Sequence, residues 1–369
     1  MQTGIHIRDL IHLRSIPKIS DRKIIHLIDH FGSTEALLSA DPRSLVRIKG
    51  IKESDASFIR HAPVDQRAIE RQFSLVNKVN GNIVSYWDPD YPEHLKNIYD
   101  PPALLFVRGK LQQNDKYSIA IVGTRHPTAY GKQIAESFAR ELARRGIAVI
   151  SGLARGVDTI VHRTALHHGR TVAVLGGSVD KIYPKENEKL VEMIESKHRG
   201  AVISELPMST QSHPGFFPRR NRIISGMSLG TLIVESGEDG GAMITATTAL
   251  DQNRELFCIP GPINEKKSDG TNRLIRNGQA KLVQSVDDII EELSVALRPI
   301  LSDLPPAAEP PQLNAFEQRI ADVLTEVPIH IDQISEQSQL SSSDALVNLL
   351  SLEFKGFVRQ LAGKMFSKV

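Results

Sequence analysis

The sequence is poor in most features that announce a chemistry. Among 369 residues there is one cysteine, Cys258, and one tryptophan, Trp87. A single thiol cannot close an internal disulfide, so nothing ties the chain to an oxidising compartment. Within the apolar stretch LFCIP it reads as a buried, inert thiol. No run reaches the roughly 20 apolar residues that a membrane-spanning helix needs. The first residues, MQTGIHIRDLIHLRSIPKISDRK, scatter charges where a signal peptide would be apolar. A cytoplasmic location with no membrane partner is therefore expected. Charge of one sign is missing too: 45 Lys and Arg against 43 Asp and Glu leave a net charge of +2. A polyanion would have to be held by a local patch and not by a global field.

Several motifs are absent as well. There is no G-x-x-x-x-G-K-[ST] phosphate loop, and the turn GTRHPT at 123–128 is not G-x-G-x-x-G. No acidic residue is placed for a dinucleotide ribose, which argues against NAD. No His/Cys cluster has metal-ligand spacing, and neither Ser151 nor Ser225 belongs to an evident Ser–His–acid set. No cofactor, no metal and no enzyme activity are expected.

What is present is a rhythm. Apolar β-type runs occur at SIAIVG, GIAVISG, TVAVLGG, GAVISE, GTLIVES, ELFCIPG and AKLV, mostly with amphipathic segments between them. This is the spacing of βαβ units, and Ile/Val-rich continuous strands imply a parallel sheet covered on both faces. Residues 117–297 are thus predicted to form a doubly wound Rossmann-like α/β core. Residues 1–65 read as a helical N-terminal domain in which RIKGIKES has the helix–Gly turn–helix pattern of a helix-hairpin-helix or SAM-like module. Residues 66–116 read as a helix and then an extended connector, SYWDPDYPEHLKNIYDPPALLFVRG, packed on the core. Residues 298–314 hold five prolines and read as a linker that cannot continue a helix. Residues 315–369 read as three helices and a two-strand hairpin turning at Ala362-Gly363, a winged-helix candidate.

Ligands of an open parallel sheet bind beyond the carboxyl ends of its strands, and there the sequence is asymmetric. These ends carry GTRHPTAYG, SGLARGVDTIVH, GGSVDKIYPKEN, SELPMSTQSHPGFFPRRNR and ESGEDGGAMITA, while the opposite ends are ordinary polar turns. Gly123, Thr124 and Arg125 place bare backbone, a hydroxyl and a guanidinium at one strand tip. Gly152, Gly156 and Gly241 would let an anion approach backbone amides, with Arg155 beside them. Helices starting near Val157 and Ala242 would aim their N-termini at the same crevice. Arg219, Arg220 and Arg222 add planar forks for phosphate, and Phe216 and Phe217 offer faces for a base. Asp158 and His162, four apart, are expected to be an internal hydrogen-bonded pair or cap. The pattern is that of a single-strand binder, a cationic track with a stacking platform, and Arg219, Arg220 and Arg222 are expected to line that track together.

The succession GTR, SGLARGVDxxxH, VAVLGG, IYPxEN, SExP, FPRRNRIISGMS, ITA and PG followed by TNRLIxNG resembles the DNA-processing protein A (DprA, also called Smf) family over about residues 85–285. The resemblance implies a homodimeric single-stranded DNA-binding protein of natural transformation that protects incoming strands and loads a RecA-type recombinase. It also implies a DNA pocket built from Gly123, Thr124, Arg125, Phe217, Arg220 and Asn221, with Arg222 just beyond. Departures from the family pattern are Ser178 for a glycine, Gly240-Gly241-Ala242 for SGS, Val161 for an alanine and His213 for a basic residue. The tail from 315 carries five Lys/Arg and seven Asp/Glu, and its third helix lacks arginine. It is expected to contact protein and not to read a major groove. Two alternatives stand beside this reading. One is a phosphoribohydrolase-like nucleotide hydrolase, although ITATTAL lacks the required Glu. The other is a recombinase scaffold without direct DNA contact.

Overall fold

The computed structural model describes residues 4–196, 199–301, 313–325, 327–361 and 363–368. The chain divides into two compact units, Met1–Ser302 and Asp303–Val369.

The first unit opens with five helices: α1 (Ile7–Ser15), α2 (Asp21–Phe31), α3 (Thr34–Ser39), α4 (Pro42–Val46) and α5 (Glu53–His61). Local signals set their limits. Ser20 caps α2 by accepting from the Lys23 amide, and Gly32 ends it at φ +80°. Gly50, at φ +89°, makes the turn between α4 and α5. Leu10, Leu13, Ile24, Leu27, Ile28, Leu37 and Leu45 form the core of these helices. Ala103 and Leu104 join that cluster from the next part of the chain, so the helices are packed onto the α/β core.

After α6 (Gln66–Lys78) come β1 (Asn82–Ser85), β2 (Leu104–Gly109) and β3 (Ser118–Val122). The alternating series follows: α7 (Ala129–Arg144), β4 (Ala148–Ser151), α8 (Val157–His168), β5 (Thr171–Val174), α9 (Glu188–Glu195), β6 (Gly200–Ser204), α10 (Phe216–Met227), β7 (Gly230–Ile233), α11 (Gly241–Asp251), β8 (Glu255–Cys258), α12 (Asp269–Arg276), β9 (Lys281–Leu282), α13 (Val286–Glu292) and α14 (Ser294–Leu301). All seven apolar runs of the rhythm are strands, β3 to β9, and they pair in parallel. The sheet order is β1-β2-β6-β5-β4-β3-β7-β8-β9. Strand order therefore reverses between β3 and β7. Successive residues of β3 show why the strands are apolar throughout. Ile119 and Ile121 face one core with Phe138, Leu142, Val161 and Ile289. Ala120 and Val122 face the other with Ile223, Ile224 and Ala246.

Two expectations are corrected here. Residues 66–116 are not merely an extended connector. The expected helix is α6, but the stretch after it supplies two antiparallel strands that extend the sheet, β2 pairing with β6 at Phe106↔Ser204 and β1 with β2. Leu104, Leu105 and Phe106 are buried. Pro101 and Pro102 belong to the approach, not to the strand. The presumed linker also begins later than expected, because α14 runs through Pro299 to Leu301. A proline removes one donor from the helix, and here it falls in the last turn of a short helix. The remaining linker prolines lie outside the described residues.

The second unit contains α15 (Ala315–Val323), β10 (Ile329–His330), α16 (Ile331–Ser338), α17 (Ser342–Phe354), β11 (Val358–Leu361) and β12 (Met365–Lys368). Asn314 and Ser341 cap α15 and α17. The hairpin β11-β12 is joined by β10, so the sheet has three strands, in the order β10-β12-β11, instead of two. Of the expected hairpin turn, Gly363 has φ +81°, while Ala362 lies outside the described residues. Ile320, Ile334, Leu349, Leu352 and Phe366 form its core. Glu317 is buried beside it. Hydrogen bonds from Lys355 and Ser351 and from the Asn314 amide hold its carboxyl down at about 2. Among the described residues no helix is long and apolar enough to cross a membrane.

Candidate nucleic-acid interface

The crevice forms where strand order reverses, because the loops after β3 and β7 leave in opposite directions. Glu235, following β7, ties the two tips together. Its carbonyl accepts from the Thr124 amide at 2.8 Å, and its carboxylate accepts from the Thr128 amide at 2.9 Å and from the Thr128 hydroxyl. Gly131 must lack a side chain, since a Cβ there would meet that carboxylate at 2.2 Å. The result is a cleft of about 610 Å³. One wall is Gly123, Thr124 and Arg125, and another is Gly237, Gly240, Gly241 and Ala242 at the start of α11. The third is the face of α10 bearing Phe217, Arg220, Asn221 and Ile224.

The aromatic platform is built by contact. Phe217 lies over Gly176, where a Cβ would come within 2.7 Å of the ring. Tyr183 sits against it with centroids 6.0 Å apart, and the Arg125 guanidinium stands 5.6 Å from the Phe217 centroid. Phe217 is half-buried and Arg125 exposed, so a ring face and a cation are presented together. Arg125 also borders a neighbouring hollow of about 470 Å³, where Arg155 and Gly156 are joined by Lys132, Arg163 and Lys267. Arg155 is exposed and paired with Glu186.

Several expected site residues have internal work. Arg220 is 6% exposed and lies under the crevice floor. Its Nη1 donates to the carbonyls of Gly152 and Val174, and its Nε to Asn221 Oδ1 at 3.2 Å. Burial lowers its pKa to about 10, against the opposing pull of Asp158. Gly152 makes room for that guanidinium, since a Cβ there would clash with it at 2.3 Å, and not for a ligand. Gly156, at φ +77°, is forced by the backbone of Thr124 and Arg125. The Val157 amide, at the N-terminus of α8, is used by the Thr124 carbonyl at 3.2 Å. Gly241 alone of the three glycines is open, with nothing within 4 Å of where its Cβ would stand.

Asp158 and His162 are both buried but are not bonded to each other. Asp158 accepts from the Gly152 and Ala154 amides at 3.1 and 3.2 Å, fixing the loop after β4. His162 Nδ1 meets Thr171 Oγ1 at 2.7 Å. Because that hydroxyl donates to the Val149 carbonyl, the imidazole must donate through Nδ1. Burial lowers its pKa to about 3, with Arg220 adding to the effect.

The expectation that Arg219, Arg220 and Arg222 line one track is corrected. An α-helix turns about 100° per residue, so positions 219 and 222 fall on one side of α10 and 220 on another. Arg219 and Arg222 both bond the buried Glu205, at 2.9 and 2.7 Å, and face a separate cleft against the N-terminal helices. Sequence reasoning missed Tyr183, Lys132, Arg163 and Lys267. Tyr183 lies in a strand-end loop already marked by its position, and Lys267 in the segment after β8. Lys132 and Arg163 sit in the first two turns of α7 and α8, whose N-termini point at the same end of the sheet.

Comparison with known proteins places the chain in a family. The family described as DNA recombination-mediator protein A covers residues 82–294, and a DprA winged helix domain covers 304–364. The DNA processing protein DprA of Bacillus subtilis is 37% identical over 262 residues, spanning 70% of this chain and 85% of that one. The X-ray structure of DNA processing protein A from Streptococcus pneumoniae superposes with a TM-score of 0.67 at 30% identity, covering 78% of this chain and 98% of that chain. DNA processing protein A from Helicobacter pylori, described for its single-stranded DNA binding mode, gives 0.53 at 32% identity, covering 58% and 96%. The chain belongs to the DNA recombination-mediator protein A family.

Proposed function

We propose that this chain binds single-stranded DNA in the crevice between β3 and β7, shields it, and passes it as a homodimer to a RecA-type recombinase in DNA recombination such as natural transformation. The observation that carries the reading is the grouping of Phe217, Tyr183 and Arg125 at the strand-order reversal. A stacking face and a phosphate-binding fork stand within one nucleotide's reach, which suits an unpaired base and its backbone. A duplex would keep its base faces hidden. The single-stranded DNA binding described for the Helicobacter pylori relative supports the same assignment. The exposed Arg155, Lys132 and Arg163, with the half-buried Lys267, extend a cationic path from Arg125. Asp158, the carboxylate at the crevice floor, is engaged by loop amides, which fits a structural role better than a hydrolytic one.

The test is a titration of labelled oligo-dT with the wild type, Phe217→Ala and Arg125→Ala. Losing one stacked base should cost about 1–3 kcal/mol, roughly 5–150-fold in affinity. Losing one phosphate contact should flatten the log–log salt slope by about 0.7. Wild-type affinity in both variants would remove the crevice from the account.

A further inference from the structure

The arginines that turn away from the crevice line a second cleft, of about 1080 Å³, between the N-terminal helices and α10. Its wall includes Lys18, Arg22, Lys49, Tyr99, Arg219 and Arg222. Carboxylates are present, but they are already engaged. Asp21 pairs with Arg14, Asp100 with Arg222, and Glu205 with both Arg219 and Arg222. Lys18, Arg22 and Lys49 are exposed, and none forms an ion pair among the described residues. Lys18 stands 5.7 Å from the Phe58 centroid.

One detail points to a nucleic-acid strand and not to a generally basic surface. The Arg22 guanidinium lies 3.8 Å from the centroid of Tyr99, a residue 77% exposed. That pair repeats the ring-and-fork grouping of Phe217 and Arg125. Arg222, 8% exposed, is held in the cleft wall by Asp100 and Glu205, so the cations free to meet a ligand are Lys18, Arg22 and Lys49.

We infer that this cleft is a second anchoring site for the same single strand, which leaves the crevice by crossing the N-terminal turn of α10. The inference rests on the single-strand reading of the crevice. Crevice and cleft are separated by one helix, about 10–12 Å across with its side chains. Phe217 and Arg220 stand on one side, and Arg219 and Arg222 on the other. Phosphates in the cleft meet Lys18, Arg22 and Lys49, while a base stacks on Tyr99. The N-terminal helices thereby lengthen the binding path, and Glu205, whose carbonyl accepts from Arg14 at 2.8 Å, fixes their position against α10.

The experiment uses the full chain and oligo-dT of about 6 and about 20 nucleotides, lengths that bracket a single-strand site. Wild type is compared with Lys18→Asn/Arg22→Gln/Lys49→Gln and, separately, with Tyr99→Ala. All four side chains are exposed, so the fold should survive, and circular dichroism checks that it does. Both variants should bind the short strand like wild type and lose about tenfold on the long one. The triple variant should also lose about 2 from its log–log salt slope, from three phosphate contacts. Wild-type behaviour on both lengths, or equal loss on both, would overturn the second site. Loss confined to duplex DNA would overturn it too and give the cleft to another ligand. Failure of the wild type to bind either strand would instead sink the crevice reading itself.

Discussion

A single step along α10 separates two kinds of arginine. Arg220 points into the protein and holds the carbonyls of Gly152 and Val174, while Arg219 reaches outward to Glu205. Removing Arg220 would leave Asp158 buried without its nearest cation and two carbonyls without their donor. Arg220→Ala should therefore destabilise the fold by about 3–5 kcal/mol in a urea titration. Its loss of DNA binding would follow from that. Phe217→Ala should leave the urea midpoint close to wild type and act on binding alone. Equal stability in the two variants would mean that Arg220 serves the ligand and not the floor.

Elements differ in how they respond to acid. His162 ties α8 to β5 and is neutral in the fold, its pKa lowered from 6.5 to about 3. Below pH 6.5 the unfolded chain takes up a proton that the folded chain refuses. This histidine's contribution is thus intact above 6.5 and is lost progressively as pH falls toward 3. Urea midpoints between pH 7 and 4 should decline less in His162→Gln than in wild type. Identical slopes would show that other groups govern the acid limit.

The same elements show what a sequence discloses. Strands β3 to β9 were legible because each is buried on both faces and so is apolar at every position. The crevice loops were legible because only one end of the sheet is rich in Gly, Ser and Arg. Strands β1 and β2 were not, since Pro101 and Pro102 directly precede ALLFVRG, β1 has only four residues, and neither strand alternates along its length. The arginines of α10 were misplaced because three cations in four residues look like one patch until helical rotation separates them. Gly152 and Gly156 looked ligand-directed, but their neighbours are Arg220 and the backbone of Thr124 and Arg125. Sequence alone does not distinguish those two demands for space.

At the scale of the whole molecule, both proposed DNA sites lie in the first unit. The second unit has its own core and presents Leu346, Val347 and Leu350 on α17, each 41–66% exposed. An apolar face without arginine is poorly suited to a major groove and better suited to protein. A chain ending at residue 301 should keep its affinity for both single-stranded and duplex DNA. A marked fall in duplex affinity would show that the winged helix reads DNA after all.

The central claim is that the strand-order reversal holds an unpaired strand. Fluorescence anisotropy of labelled oligo-dT against a duplex of equal length, repeated across a salt series, tests it most directly. The account predicts preference for the single strand, with log affinity falling by about 0.7 per phosphate contact for each unit of log salt. Equal affinity for the two forms, or binding indifferent to salt, would contradict it.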